Sequence, residues 1–193
     1  MAVEAVEIVV IGTSLGGLSA LQVILRNLSH QFPAAIAIAQ HRHKESNAQL
    51  SQFLQQHSSM PIKEAEDKDL LHPGHVYLAP PDYHLLVEPG YLSLSTDEPV
   101  SYARPSIDVL FESAADSYHE RTVGVLLTGA NRDGVQGLAR IAAVNGHTIV
   151  QDPTTAENAT MPQAAIQSIP VDRILPLSDI APYLTHLCFS VRR

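Results

Sequence analysis

The sequence predicts an α/β fold: a doubly wound, mostly parallel sheet flanked by helices, with an antiparallel hairpin or meander in the middle of the chain. Three observations carry this. Continuous apolar runs rich in β-branched or small residues, at Val6–Ile11, Ala34–Ala39 and Val123–Leu127, read as strands buried on both faces. Segments with apolar residues at helical spacing alternate with them, as in parallel strands joined by crossover helices. Between residues 61 and 95 that rhythm breaks into short strands punctuated by Pro73-Gly74, Pro80-Pro81-Asp82 and Pro89-Gly90.

Each element follows in order. Val6–Ile11 is the first strand, and Gly12-Thr13-Ser14-Leu15-Gly16-Gly17 turns the chain into a helix over Leu18–Leu28. Ala34–Ala39 is the second strand and ends at Gln40-His41; Asn47–His57 is an amphipathic helix with Leu50, Phe53 and Leu54 on one face. Pro61–Glu66, His75–Ala79, His84–Glu88 and Tyr91–Ser95 are short strands of the hairpin or meander. Ser106–Tyr118 returns to helix, with Ser106 able to cap and Asp108 in the first turn. Val123–Leu127 is a strand, Val135–Val144 a helix stopped by Asn145-Gly146, and His147–Gln151 a further strand. Met161–Ser168, Arg173–Leu175 and Ser178–Leu187 close the chain as helix, strand and helix. Without a repeat or linker, residues 1–193 read as a single domain.

Composition excludes several classes of function. A formal charge of −8 disfavours nucleic acid, whose phosphates demand a basic face. No apolar run reaches the ~20 residues needed to cross a bilayer, so no membrane insertion is expected. The N-terminus carries Glu4 and Glu7 and no basic stretch, unlike a secretory signal. The single cysteine, Cys188, fits a reducing cytoplasm and reads as a packing residue.

In a parallel sheet, sites form where strands end at their carboxyl edge. Three such ends carry Ser14, His41 and Asp133. These are the residue types of a nucleophilic hydrolase: hydroxyl, base that removes its proton, and carboxylate that orients the base. Gly12-Thr13-Ser14-Leu15-Gly16 matches G-x-S-x-G in a strand–turn–helix context, and N–H groups around Leu15 to Gly17 are natural donors to an oxyanion.

Other readings compete. A Gly-rich first turn more often binds a dinucleotide, but Ser14 stands where that fingerprint needs glycine, and Gln40-His41 replaces the acidic residue of the second strand. In ordinary α/β-hydrolases the nucleophile follows several strands and the order is Ser, acid, His; here it is Ser14, His41, Asp133 after the first strand. His41 and His43, or His72 and His75, lack the spacing of a metal motif, so neither metal nor cofactor is expected. Asp133 also fits the N-cap of the helix that follows it.

The chain resembles the catalytic domain of the chemotaxis protein-glutamate methylesterases. The matching blocks are Ile11-Gly12-Thr13-Ser14-Leu15-Gly16-Gly17, Ala39-Gln40-His41, Lys63-Glu64-Ala65-Glu66-Asp67 and Pro73-Gly74-His75-Val76-Tyr77-Leu78-Ala79-Pro80, followed by Arg104-Pro105-Ser106-Ile107-Asp108-Val109-Leu110-Phe111, Leu127-Thr128-Gly129, Asp133-Gly134 and Met161-Pro162. They run in the family's order from about residue 8 to 187.

The resemblance implies Ser14 as nucleophile, His41 as base and Asp133 as orienting acid, acting in the cytoplasm. The implied reaction is hydrolysis of glutamate γ-methyl esters on helices of methyl-accepting receptors, together with deamidation of glutamines. It implies Thr13, Leu15 and the Ala130 N–H at the substrate or oxyanion site. Arg104 fits a contact to an acidic receptor helix and equally a surface ion pair.

The chain departs from the family's pattern at Leu15 (a Thr there), at Ala130-Asn131-Arg132 (Met-Gly-x) and at Arg42-His43 (Met-Pro). These departures bear on rate and leave open a catalytically weakened binding domain; a nucleotide-binding module is the third reading. The family's frequent N-terminal receiver domain is not expected in this chain.

Overall fold

The computed structural model describes residues 5–42 and 49–190. In chain order the elements are β1 (Ile8–Thr13), α1 (Gly17–Arg26), β2 (Ala35–Gln40), α2 (Gln49–Gln55), β3 (Ile62–Glu64), β4 (Val76–Leu78), β5 (His84–Glu88), β6 (Tyr91–Ser95) and α3 (Ile107–Tyr118). Then come β7 (Thr122–Leu126), α4 (Val135–Ala143), β8 (His147–Gln151), α5 (Thr160–Ser168), β9 (Arg173–Leu175) and α6 (Leu177–Ser190).

Seven strands form one sheet in the order β3-β4-β2-β1-β7-β8-β9, every neighbouring pair parallel. The β-branched runs lie at its centre, where each strand is covered on both faces: all six residues of β1 and all five of β7 are buried. Because successive side chains alternate, β1 feeds two cores. Val9 and Ile11 pack with Leu21, Ile24 and Leu184 on the α1/α6 face, while Ile8 and Val10 pack with Leu110, Phe111 and Leu138 on the α3/α4 face. Fully buried side chains of this size each contribute about 1.5–3 kcal/mol, so α1 is held by Leu21, Ile24 and Leu25 rather than by its ends.

The antiparallel feature in the middle of the chain is the hairpin β5–β6, paired from His84↔Ser95 to Glu88↔Tyr91. Ile62–Glu64 and Val76–Leu78, read from the sequence as part of the same meander, instead extend the main sheet in parallel, with Ile62 opposite Val76. The helix expected over residues 47–57 covers Gln49–Gln55; Asn47, like His43, lies outside the described residues.

Topology then locates the site. From β1 the chain steps through β2 to one side and returns through β7 to the other, so β1 is the switch point of the sheet. A crevice opens at such a point beyond the carboxyl ends of the strands. Ser14, His41 and Thr128 follow those three ends.

Candidate active site at the switch point

Ser14 sits on a turn fixed from three directions. Its N–H donates to Thr128 O at 3.0 Å, and its carbonyl accepts from Gly17 N at 2.9 Å and Gln40 Nε2 at 2.9 Å. Gly16 is left-handed (φ +80°) and leaves α1 without a side-chain cap. A Cβ at Gly17 would stand 2.1 Å from Gln40 Oε1 and 2.6 Å from Thr13 Oγ1, so the first residue of α1 has no room for a side chain without a shift of these neighbours. The loop after β7 closes over this turn: a Cβ on Gly129 would lie 3.1 Å from Ser14 Cβ. Among the described residues, Ser14 Oγ makes no hydrogen bond, and the N–H groups of Leu15, Gly16 and Ala130 have no acceptor. The Gly17 N–H, expected as an oxyanion donor, is spent on the Ser14 carbonyl.

His41 is placed by its own backbone, whose N–H donates to Thr13 O at 3.0 Å. Its Nε2 lies 2.7 Å from Asp133 Oδ2, and its Nδ1 lies 3.1 Å from Asn131 Nδ2. The Asn131 amide is oriented by Asp133 N, which donates to Asn131 Oδ1 at 3.1 Å. An amide nitrogen only donates and a carboxylate only accepts. The ring therefore carries its proton on Nε2 and offers the Nδ1 lone pair to Asn131.

Asp133 has no exposed side-chain surface. Oδ1 accepts from Ser106 Oγ and Asp108 N, each at 3.0 Å; Oδ2 accepts from Ile107 N at 2.7 Å as well as from His41. Burial alone pushes this carboxyl up, but the His41 hydrogen bond, the two helix N–H groups and the His41 charge outweigh it and hold it below the usual aspartate value. The capping expectation is corrected here. Asp133 caps α3, not the α4 that follows it, because its side chain turns back onto Ile107 and Asp108. Asp108 Oδ1 in turn takes the α4 donors, Gly134 N at 2.9 Å and Gly137 N at 2.8 Å. The two helices thus exchange caps.

Among the remaining expected residues, Thr13 is corrected as a substrate contact. It is fully buried, and its hydroxyl donates to Thr128 O at 2.8 Å, tying β1 to the loop after β7. Leu15 is 53% exposed beside Ser14, and Ala130 is exposed on the loop after Gly129. Arg104 is engaged: Nε and Nη2 donate to Asp82 Oδ1, and Nη1 to the carbonyls of Thr96 and Asp97. It nonetheless walls a cleft of about 730 Å³ that it shares with Ser14, His41, Arg42, Tyr102 and Asn131. A second cleft of about 460 Å³ runs from Ser14 and His41 along Leu15 and Leu18 to Glu157. Among the described residues, no three His, Cys, Asp or Glu side chains group as a metal site would need.

Sequence reasoning gave no site role to Asn131, Ser106, Asp108, Gln40 or Arg42. Ser106 and Asp108 lie inside the Arg104–Phe111 block that carries the resemblance, which is the signal that could have marked them. Arg42 Nη2 bonds Glu64 at 2.7 Å and the Ala79 carbonyl at 2.8 Å, anchoring the backbone next to His41 across β3 and β4.

Comparisons with known proteins converge on one family. The model described as CheB methylesterase matches residues 9–184. A putative protein-glutamate methylesterase/protein-glutamine glutaminase of Leptospira interrogans (serovar copenhageni) is 46% identical over 182 residues, covering 94% of both chains. The protein-glutamate methylesterase FrzG of Myxococcus xanthus is 39% identical over 178 residues, 92% of this chain and 53% of its own length. The crystal structure of the Thermotoga maritima CheB methylesterase catalytic domain superposes with a TM-score of 0.92 at 34% identity, covering 95% of this chain and all of that one. A methylesterase is a carboxylic ester hydrolase, and the Ser14 turn and the exchanged caps lie within the matched span. The chain belongs to the CheB methylesterase family.

Proposed function

We propose that the chain hydrolyses glutamate γ-methyl esters, and deamidates glutamine side chains to glutamate, on helices of methyl-accepting chemotaxis receptors in the cytoplasm, with Ser14 as nucleophile. The observation that carries this reading is the 2.7 Å bond from His41 Nε2 to buried Asp133, on a ring that lines both clefts with Ser14. Family membership supports the reaction class. No helix among the described residues is long and apolar enough to cross a membrane.

In this mechanism Ser14 Oγ attacks the γ-carbonyl carbon and its proton passes to His41 Nδ1, while Asp133 stabilises the resulting imidazolium. The tetrahedral oxyanion meets the unspent N–H groups of Leu15 and Gly16 at the uncapped start of α1 and that of Ala130 on the loop after β7. The intermediate collapses, His41 returns the proton, and methanol leaves. Water then attacks the acyl-serine with the same base, freeing Ser14 and a glutamate carboxylate. A glutamine follows the same course with ammonia as leaving group. Release of labelled methanol from methyl-labelled receptor, wild type against Ser14→Ala, tests this: the variant should lose at least about a hundredfold in rate, and equal release would overturn the assignment.

A slower, binding-dominated role draws support from one contact. Asn131 Nδ2 holds the Nδ1 lone pair that Ser14 needs.

A further inference from the structure

Asp133 is not the only buried carboxyl behind His41. Asp108 is 5% exposed, in the first turn of α3, with Oδ1 on Gly134 N and Gly137 N. Its own N–H bonds Asp133 Oδ1 at 3.0 Å, so the backbone of one carboxyl residue holds the side chain of the other. Helix capping alone does not require a carboxylate, because Asn caps as well as Asp. An ionisable group kept beside a second carboxylate in a buried site is therefore surplus to the cap.

We propose that Asp108 is a positioning residue for the proposed hydrolytic site, a second carboxyl whose charge governs how firmly the Asp133–His41 pair holds its proton. The inference rests on the hydrolase reading above only for its effect on rate. Burial chiefly, then the charge of Asp133 and a shared hydrogen bond with it, raise the Asp108 carboxyl to about 6 against the pull of the Gly137 and Gly134 N–H groups. In the same site Asp133 is shifted down. Two neighbouring carboxyls driven apart in this way divide one proton between them. Below about pH 6 Asp108 is neutral; above it, a second negative charge stands behind the pair and favours the protonated ring during attack by Ser14.

The groups around Asp108 do not neutralise it. Arg140 on α4 is paired with Asp116 at 2.7 Å, and Glu112, one turn along α3, is itself raised, chiefly by burial. From β5, His84 offers Nδ1 to Ser106 N and its Nε2 lies 3.1 Å from the Glu98 carbonyl. His41 reaches Asp108 only through Asp133.

Asp108→Asn tests this. Its Oδ1 still accepts from Gly134 and Gly137, while its uncharged amide permanently copies the charge of the protonated form. The expected result is an unfolding temperature close to wild type, KM little changed, kcat at pH 7.5 lowered about 3–10-fold, and the acid limb of the kcat profile moved to lower pH by about half a unit or more. A rate loss with an unmoved limb would reduce Asp108 to a helix cap and overturn the proposal. Carboxyl-carbon NMR of the wild type reads the same coupling without any turnover. One aspartate should titrate near 6, vanish in Asp108→Asn, and move toward the ordinary range in Asp133→Asn. An Asp108 that titrates near 4 would overturn the proposal even if the variant fails to fold. If the titration behaves as expected but the wild type releases no methanol, the hydrolase reading fails and the coupling stands.

Discussion

Asn131 Nδ2 donates to His41 Nδ1 at 3.1 Å, on the opposite side of the ring from Asp133. Both imidazole nitrogens are thereby occupied by the protein, and in the proposed mechanism a Ser14 hydroxyl must displace the amide before it can give up its proton. Asn131→Ala should raise kcat about 3–10-fold, because a competing hydrogen bond worth on the order of 1 kcal/mol is removed from the base. Loss of the Asn131 Oδ1 acceptor for Asp133 N should lower the unfolding temperature by a few degrees. A fall in kcat at unchanged KM would show that Asn131 orients the ring instead.

Gly17→Ala should damage the site through packing alone. The new methyl would press on Gln40 Oε1 and on Thr13, both buried against the turn. Overpacking of this kind costs about 1–3 kcal/mol. Denaturant unfolding should show that loss together with reduced methanol release, since Gln40 also holds the Ser14 carbonyl.

The two buried carboxyls give opposite pH dependences of stability. Asp108 titrates at about 6 in the folded chain, above its ordinary 3.8, so its contribution is full below that ordinary value and is lost as pH rises through 6. Asp133 is shifted down, so its contribution is present above the ordinary value and is lost as pH falls through its lowered one. Urea unfolding at pH 4 and pH 7 should find Asp108→Asn gaining on wild type by about 2–3 kcal/mol between them. A constant difference would show that Asp108 does not change charge in that window.

Much of this was legible because the residues act locally. β1, β2 and β7 are buried on both faces and write themselves as unbroken apolar runs, and the elbow at Ser14 needs small residues within five positions. Ile62–Glu64 and Val76–Leu78 were harder. Three-residue strands beside Pro-Gly turns look alike whether their partner runs parallel or antiparallel, and only the sheet order decides. The cap exchange was beyond sequence reach for another reason. Asp133 lies next to α4 in the chain, and nothing local says that its carboxylate folds back 26 residues to Ile107. The Asn131 side chain is set by the same long-range closure.

The exchanged caps give Asp133 an unusual evolutionary position. Residues that serve chemistry commonly burden the fold, so lineages that abandon an activity can gain stability by replacing them. Here the carboxylate that faces His41 also satisfies the opening N–H groups of α3. A descendant that no longer hydrolysed anything would still be selected to keep Asp133, and its persistence in a sequence is evidence of an intact helix start before it is evidence of an enzyme.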